Sequence, residues 1–179
     1  MNEYVNPRNF KFCPKCGENL TEKFIETEGT ERLVCSECNF VYYINPTPAV
    51  AVILIEDQKI LLVKRKYDPR KNEWTLPAGF MEYNETAEGT AVREAKEETN
   101  LNIAIEDFYG VFPGFDDPRV HVVLIVFRGK VLNGHLKPGD DASEVRFFSF
   151  SDLPTNIAFS AHRQIVNELK VNLFSPQKI

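Results

Sequence analysis

The sequence predicts an α+β chain, with one main domain preceded by a small metal-binding ribbon. Three observations predict this class. Four cysteines come as two Cys-x-x-Cys pairs near the start of the chain. Several short apolar runs bounded by turn residues follow, and these are typical of strands. A glutamate-rich segment after Thr86 and a segment at 160–171 have the pattern of helices. With 179 residues, 43% of them hydrophobic, the chain is long enough for one compact domain and such an appendage.

The two cysteine pairs predict a structural zinc site. The four residues are Cys13, Cys16, Cys35 and Cys38. Two short knuckles of this kind place four thiolates around one ion, and tetrahedral Zn²⁺ is their natural occupant. The alternative, two redox pairs, lacks the surrounding βαβ pattern. The residues between the pairs have the pattern of a hairpin that turns near Glu28 and Gly29.

Charge and hydropathy exclude several classes of protein. The net charge of −5 and the pI of about 5.3 argue against a general affinity for nucleic acid. No apolar run reaches the ~18–20 residues that a membrane-spanning helix needs, so we expect no membrane partner. The N-terminus lacks the apolar core of a secretory signal. Because the cysteines suit metal better than disulfides, we expect a cytoplasmic protein.

The main domain is predicted from the order of its apolar segments. The expected strands are 49–55, 60–63, 101–105, 120–127 and 144–150, followed by a helix at 160–171. The first two strands form a hairpin across the polar turn 56–58. A loop is expected at 106–118, and a second one at 133–143.

The segment 79–101 concentrates acidic residues on a helix. Since a helix turns by about 100° per residue, Glu94, Glu97 and Glu98 fall on one narrow face. Three carboxylates this close repel one another, and carboxylate oxygens favour Mg²⁺ or Mn²⁺. A solvated acidic helix is the alternative that spacing alone leaves open.

This segment resembles the Nudix box, a motif of glycine, glutamates and arginine at fixed spacing. The matching residues are Gly79, Glu85, Arg93, Glu94, Ala95, Glu97, Glu98 and Leu101, with Asn100 where the motif ends in glycine. Asparagine is the next most tolerant residue for the positive φ expected there. A four-cysteine ribbon joined to a Nudix domain is itself a subgroup of this family. The chain is thus similar to Nudix hydrolases over nearly its whole length.

The resemblance implies a fold, a division into domains and an activity. The fold is a mixed sheet between helices, with the ribbon at 1–45 and the hydrolase domain at 46–179. The activity is metal-dependent hydrolysis of a nucleoside diphosphate linked to another moiety. The resemblance also implies a homodimer.

The resemblance also implies roles for individual residues. The ligands of Mg²⁺ or Mn²⁺ would be Glu94, Glu97, Glu98 and the carbonyl of Gly79, with Glu82 binding through water. Arg93 would orient Glu85 and the loop from Gly79. Helical spacing directs Arg93 about 100° from Glu94, away from the metal face.

Two assignments within the site have alternatives. The general base would be Glu97 or Glu144, and we favour Glu144, just before a late strand; an ordinary surface acid is its alternative. Phe112, Phe115 and Asp116 in the loop at 106–118 could bind a base and a ribose, because aromatic faces stack on bases and carboxylates accept hydroxyl hydrogen bonds. Tyr43 could border the same pocket. Ordinary packing is the alternative for these four residues.

The substrate class follows from a comparison within the subgroup, which includes NADH and FAD pyrophosphatases and has ADP-ribose hydrolases as close relatives. The NADH enzymes carry Ser-Gln-Pro-Trp-Pro-Phe-Pro soon after the box. This chain has Val-Phe-Pro-Gly-Phe at 111–115, and its single tryptophan is Trp74. We therefore expect ADP-ribose or a dinucleotide such as FAD. The alternatives are an NADH pyrophosphatase, a triphosphate-cleaning or cap-removing hydrolase, and a catalytically weak module that binds nucleotide or nucleic acid.

Overall fold

The computed structural model describes residues 10–139 and 141–174 and divides the chain into two compact units. One unit ends at Pro46 and includes Pro118–Val120. The other comprises Thr47–Asp117 and the chain from His121 onward. Neither of the described helices is long and apolar enough to cross a membrane.

The first unit is a small antiparallel sheet. Its strands are β1 (Leu20–Ile25), β2 (Thr30–Cys35) and β3 (Val41–Tyr42), in the order β1-β2-β3. The turn between β1 and β2 contains Gly29 with a φ of 65°, so the predicted hairpin is confirmed. The buried cluster of this unit consists of Cys13, Leu20, Leu33 and Cys35. Half of these residues are cysteines, so apolar burial alone gives this unit little stability.

The second unit contains a mixed seven-stranded sheet and two helices. Its elements are β4 (Thr47–Glu56), β5 (Lys59–Arg65), β6 (Trp74–Thr75), β7 (Ala78–Phe80), α1 (Ala87–Thr99), β8 (Leu101–Gly114), β9 (Val122–Gly134), β10 (Ala142–Ser149) and α2 (Ser160–Phe174). The strand order is β10-β5-β4-β9-β8, with β6 beside β5 and β7 beside β4. Strands β4 and β9 are parallel and the other pairs are antiparallel. The mixed sheet is therefore confirmed.

Both faces of this sheet are covered, as β4 shows most clearly. Ala49, Ala51 and Ile53 belong to the cluster that includes Ile165 and Leu169 of α2. The intervening Val50, Val52 and Leu54 belong to the cluster that includes Ala91 and Ala95 of α1. Because successive side chains of a strand point to opposite faces, α1 and α2 lie on opposite sides of the sheet. The predicted arrangement of a sheet between helices is confirmed.

Helix α1 begins and ends with specific caps. The hydroxyl of Thr86 accepts a hydrogen bond from the Gly89 N–H at 3.1 Å, as expected of an N-cap. Asn100 ends the helix with a φ of 61°, and its N–H donates to the carbonyl of Lys96. This value confirms the positive φ expected from the motif. Asparagine suits the position, because it tolerates the left-handed region better than most residues.

The predicted loop at 106–118 is wrong for its first part. Strand β8 continues from Leu101 to Gly114, so Phe112 lies on a strand. The pairing with β9 shifts register at three places, between 102 and 103, between 105 and 107, and between 108 and 110. Each shift breaks the two-residue alternation by which a strand is recognised in a sequence.

The segment 135–139 binds the C-terminal end of α1. The N–H groups of Lys137 and Gly139 donate to the carbonyls of Thr99 and Glu98, both at 3.0 Å. The Asn100 side chain donates to the carbonyl of His135 at 2.9 Å. These bonds satisfy carbonyls that a helix end leaves without partners. A Cβ atom on Gly139 would overlap the Glu97 carbonyl, so only glycine permits this approach.

We predict that Gly139→Ala destabilises the protein, because its methyl group would collide with helix backbone rather than with a movable side chain. The free energy of unfolding, measured by urea denaturation, should fall by roughly 1–3 kcal/mol. Gly89→Ala is the matched control, since its Cβ would approach only the Thr86 hydroxyl, at 3.2 Å. Wild-type stability of Gly139→Ala would contradict this account of the docking.

Candidate active site and zinc site

The four predicted zinc ligands lie together in the first unit. Their sulfur atoms are all within 4.8 Å of one another, and the Sγ atoms of Cys16 and Cys35 are 3.4 Å apart. Zn–S bonds of about 2.3 Å would place tetrahedral ligands about 3.8 Å apart, so the donor set and spacing fit Zn²⁺. The Cys38 N–H donates to the Cys35 Sγ, which lowers the pKa of the Cys35 thiol to about 6. The pKa of the Cys16 thiol shifts the other way, to about 12, because the lowering effect of the Glu18 backbone is outweighed by hydrogen bonds with the other three sulfur atoms and by burial, so the fit to Zn²⁺ rests on the donor set and spacing.

In the second unit, Arg93 of α1 holds Glu85 by a two-pronged ion pair. Its Nε donates to Oε1 at 2.6 Å and its Nη2 donates to Oε2 at 2.9 Å. The backbone N–H of Glu82 and the hydroxyl of Thr90 also donate to Glu85. These donors, Arg93 above all, lower the pKa of Glu85 to about 2. Arg93 Nη2 also donates to the Phe80 carbonyl at 3.0 Å, so one side chain joins α1 to the preceding loop.

Arg93 also reaches the carboxylate face of α1. Its Nη1 donates to Glu94 Oε1 at 2.7 Å and to Glu97 Oε2 at 2.9 Å. The prediction that Arg93 points away from this face is therefore wrong. Helical spacing describes only the direction of the Cα–Cβ bond, and the arginine side chain is long enough to bend back. Within the part of the chain that the structure describes, the ligand atoms of Glu94, Glu97 and Glu98 are not gathered into a cluster like that of the cysteines.

The carboxylate of Glu98 lies against the segment that enters β7. Its Oε2 accepts a hydrogen bond from the Ala78 N–H at 2.9 Å. Although part of the residue reaches solvent, burial of the carboxyl raises the pKa of Glu98 to about 8, against the effect of the Ala78 bond. The negative charges of Glu94 and Asp141 raise this pKa further, and Arg65 opposes them.

Glu94 completes this group beside Gly79. A Cβ atom on Gly79 would overlap the Glu94 carboxylate, so the missing side chain lets that carboxylate lie against the backbone. Burial also raises the pKa of Glu94. Arg93 offsets this effect at Glu94 only in part, and at Glu98 the positive charge of Arg65 does not outweigh burial. This oxygen-rich group fits a hard divalent cation such as Mg²⁺ or Mn²⁺.

The proposed general base Glu144 lies on β10, next to a register shift. Its side chain is exposed and forms an ion pair with Lys64 at 3.5 Å. Asp141, which sequence reasoning missed, raises the pKa of Glu98 and follows the segment that docks on α1. Asp141 joins Glu144 as an acid from this part of the chain that could serve the site.

Two of the predicted substrate-binding residues are aromatic residues at the end of β8. Phe112 packs against the core and stacks on Tyr109, with ring centroids 6.0 Å apart and planes at 14°. Phe115 is 68% exposed and meets the His121 ring edge-on at 5.1 Å. Of these two rings, Phe115 offers the more accessible surface for a base.

The other two substrate-binding predictions have protein partners. Asp116 accepts hydrogen bonds from the N–H and the hydroxyl of Ser160, at 2.7 and 2.9 Å, and from Arg163 at 3.2 Å. Its carboxylate thus binds the first residue of α2. Tyr43 belongs to the first unit and donates its hydroxyl to Glu28 at 2.9 Å. Their binding of substrate stays a prediction.

Sequence reasoning also missed two buried polar residues. Thr90 is fully buried and donates to Glu85 Oε2 at 2.9 Å. Its place next to Ala91, on the buried side of α1, is the signal from which the burial of Thr90 could have been predicted. His162 is 6% exposed, and its Nδ1 accepts the N–H of Leu76 at 3.2 Å. The sequence gives no local signal for this pair.

We predict that Glu85 stabilises the protein in a pH-dependent way. Its pKa is lowered from 4.5 to about 2, so its contribution is present above about pH 4.5 and is lost as the pH falls toward 2. Urea denaturation of Glu85→Gln and wild type should show a stability deficit at pH 7 that shrinks between pH 4.5 and 2. The exposed Glu88→Gln is the matched control. An equal deficit for Glu85→Gln at both ends of this range would contradict the pairing.

Family models match almost the whole described chain. The NUDIX domain model matches residues 45–169, and the model described as Nudix N-terminal, a zinc ribbon, matches residues 11–44.

Three similar proteins agree with these matches. An ADP-ribose pyrophosphatase of Methanocaldococcus jannaschii is 46% identical over 127 residues, which are 70% of this chain and 74% of that protein. An NAD-capped RNA hydrolase NudC of Vibrio atlanticus is 29% identical over 82% of this chain, which spans only 52% of that relative. The crystal structure of a NUDIX hydrolase from Nitrosomonas europaea has a TM-score of 0.81 and 34% identity, and the match covers 93% of this chain and 95% of that one. The chain therefore belongs to the Nudix hydrolase family.

Proposed function

We propose that the protein hydrolyses the pyrophosphate bond of a nucleoside diphosphate linked to another moiety, with ADP-ribose as the leading substrate. The observation that carries this proposal is the group formed by Glu94, Glu98 and the backbone at Gly79. The similarity to the ADP-ribose pyrophosphatase of M. jannaschii supports the choice of substrate. A dinucleotide such as FAD is retained beside it, on the family resemblance.

The proposed cofactor of the reaction is Mg²⁺ or Mn²⁺, with Zn²⁺ confined to the cysteine site. Glu94, Glu97, Glu98 and the Gly79 carbonyl would hold the catalytic ion. When bound, such an ion neutralises phosphate charge and lowers the pKa of a bound water. Arg93 would then release Glu94 and Glu97 from its Nη1, while its Nε and Nη2 keep Glu85 and the Phe80 carbonyl in place.

The proton acceptor is proposed to be an acid near this group. Glu97 is 58% exposed along its side chain, so it can receive a proton from a water on the solvent side of α1. Glu144 stays the favoured alternative from the sequence, and Asp141 is added because its charge acts on Glu98. Whichever of these three acids is the base, its role would be to take a proton from the attacking water.

Further aspects of the function rest on the resemblance. Phe112, Phe115, Asp116 and Tyr43 are proposed to contact substrate, and Phe115 has the most exposed of the three aromatic rings. The division into a ribbon at 1–45 and a hydrolase domain at 46–179 is also a proposal. So are the homodimer and the cytoplasmic location.

A second candidate substrate class is NADH or an NAD cap on RNA. The match to the NudC protein of V. atlanticus covers 82% of this chain and favours this class. The chain spans about half the length of the NudC relatives, however, and lacks the NADH signature after the box. We therefore rank it second.

We predict that the protein releases AMP from ADP-ribose in the presence of Mg²⁺ and that EDTA abolishes this activity. The test is a panel of ADP-ribose, FAD, NADH, NAD, NAD-capped RNA, a dinucleoside polyphosphate and a nucleoside triphosphate. Glu98→Gln should lose at least about 100-fold in kcat/KM, because it removes a charged metal ligand.

The matched control for this panel is Glu88→Gln, which removes an exposed acid from the first turn of the same helix. It should keep its activity within about twofold, since surface substitutions rarely matter. Full activity of Glu98→Gln would contradict the metal assignment. No turnover of any panel member by Mg²⁺-loaded protein would favour the nucleotide-binding alternative.

We also predict that Gly79→Ala lowers kcat but leaves the free energy of unfolding close to that of wild type. The new Cβ would displace the Glu94 carboxylate, which is the movable end of a side chain, so folding is spared while the metal group is disturbed. The activity should fall at least about tenfold, since small misplacements of catalytic groups are costly. Gly89→Ala again serves as the control. Unchanged kcat and metal requirement in Gly79→Ala would show that Glu94 need not lie against this backbone.

A further inference from the structure

The segment that leads to Gly79 is held by the chain just before α2. The Trp74 N–H donates to the Asn156 carbonyl at 3.0 Å, and the Ala158 N–H donates to the Trp74 carbonyl at 2.8 Å. These bonds form a parallel bridge between Trp74 and Ile157. In a continuing parallel ladder, the next bond would join the N–H of Leu76 to the carbonyl of Ala158.

This next bond is made by a side chain instead. The chain leaves the ladder at Phe159, which has a φ of 58°, and α2 begins at Ser160. The Leu76 N–H donates to His162 Nδ1 at 3.2 Å. Leu76 is fully buried, and a buried N–H without an acceptor would be costly. The imidazole of His162 therefore takes the place of a strand carbonyl.

The position of Leu76 matters because Ala78, two residues later, begins the backbone that contacts the proposed metal ligands Glu98 and Glu94. The Ala78 N–H donates to Glu98 Oε2 at 2.9 Å, and Gly79 lies against Glu94. Between them, the Pro77 carbonyl accepts the Val52 N–H at 3.0 Å. The segment 76–79 is thus fixed by β4, at Pro77 and through the pairing of β7, and by His162 at Leu76.

We infer that His162 is a positioning residue for the hydrolase site, because its Nδ1 holds Leu76 and so places the Ala78 N–H and the Gly79 backbone against Glu98 and Glu94. This inference rests on the proposed function, since it takes Glu94, Glu98 and Gly79 as the metal site. His162 touches neither substrate nor metal in this role.

The role requires a neutral imidazole whose Nδ1 carries no proton. Burial lowers the pKa of His162 to about 4, and the positive charges of Arg65 and Arg163 lower it further, against the effect of Asp116. An Nδ1 acceptor leaves the proton of the neutral ring on Nε2. The hydrogen bond to Leu76 therefore persists at neutral pH.

The test compares Mn²⁺ binding by zinc-loaded wild type, His162→Leu and His162→Asn, measured by titration of the EPR signal of free Mn²⁺. Leucine removes the acceptor, whereas the Asn Oδ1 can reproduce an acceptor near the position of Nδ1. We expect the Mn²⁺ Kd to rise about tenfold in His162→Leu and to stay within about threefold in His162→Asn, because a buried N–H without its partner displaces the segment. Asn167→Leu, an exposed change on the same helix, should bind like wild type.

Two further measurements make the outcome decisive. Glu98→Gln is titrated beside these variants, and if it binds Mn²⁺ like wild type, the proposed metal site fails. If Glu98→Gln loses Mn²⁺ affinity while folded His162→Leu binds Mn²⁺ like wild type, only the role of His162 is overturned. Nitrogen NMR of ¹⁵N-histidine-labelled wild type should show an unprotonated Nδ1 and a protonated Nε2 at neutral pH. A proton on Nδ1 would overturn the inference, even if His162→Leu does not fold.

Discussion

The concentration of negative charge along α1 is the constraint on which the candidate site depends. Glu85, Glu94, Glu97 and Glu98 lie within a few turns of one another, and one guanidinium contacts the first three. Arg93 serves two purposes: it ties Glu85 and the Phe80 carbonyl to the helix, and it compensates carboxylates that would otherwise repel one another. Glu98 lacks this compensation and has a raised pKa. This raised pKa supports the proposal that a cation binds beside Glu98.

The sheet and the glycines bring this charge close to backbone. Ala91 and Ala95 are fully buried, so α1 packs tightly on the sheet that carries β7. Gly79 leaves room for the Glu94 carboxylate, and Gly139 lets the segment 135–139 reach the end of the helix. Small residues therefore determine how closely α1, β7 and the segment 135–139 approach one another.

The sequence predicted the local parts of this arrangement and missed those that depend on distant contacts. The caps at Thr86 and Asn100 follow from residue types within one short segment, and the pairing of Arg93 with Glu85 was implied by the resemblance to the Nudix box. The extension of β8 could not be predicted, because three register shifts hide its alternation. The bond between Leu76 and His162 joins residues 86 positions apart, and no local pattern announces it.

The most direct measurement of the central claim is anomalous diffraction from crystals of the zinc-loaded protein soaked with Mn²⁺. The account predicts an Mn²⁺ peak between Glu98, Glu94 and the Gly79 carbonyl, with Arg93 still paired to Glu85 but released from Glu94 and Glu97. The account would be contradicted if a crystal soaked to saturation with Mn²⁺ showed no peak at this group and Arg93 were still bound to Glu94 and Glu97.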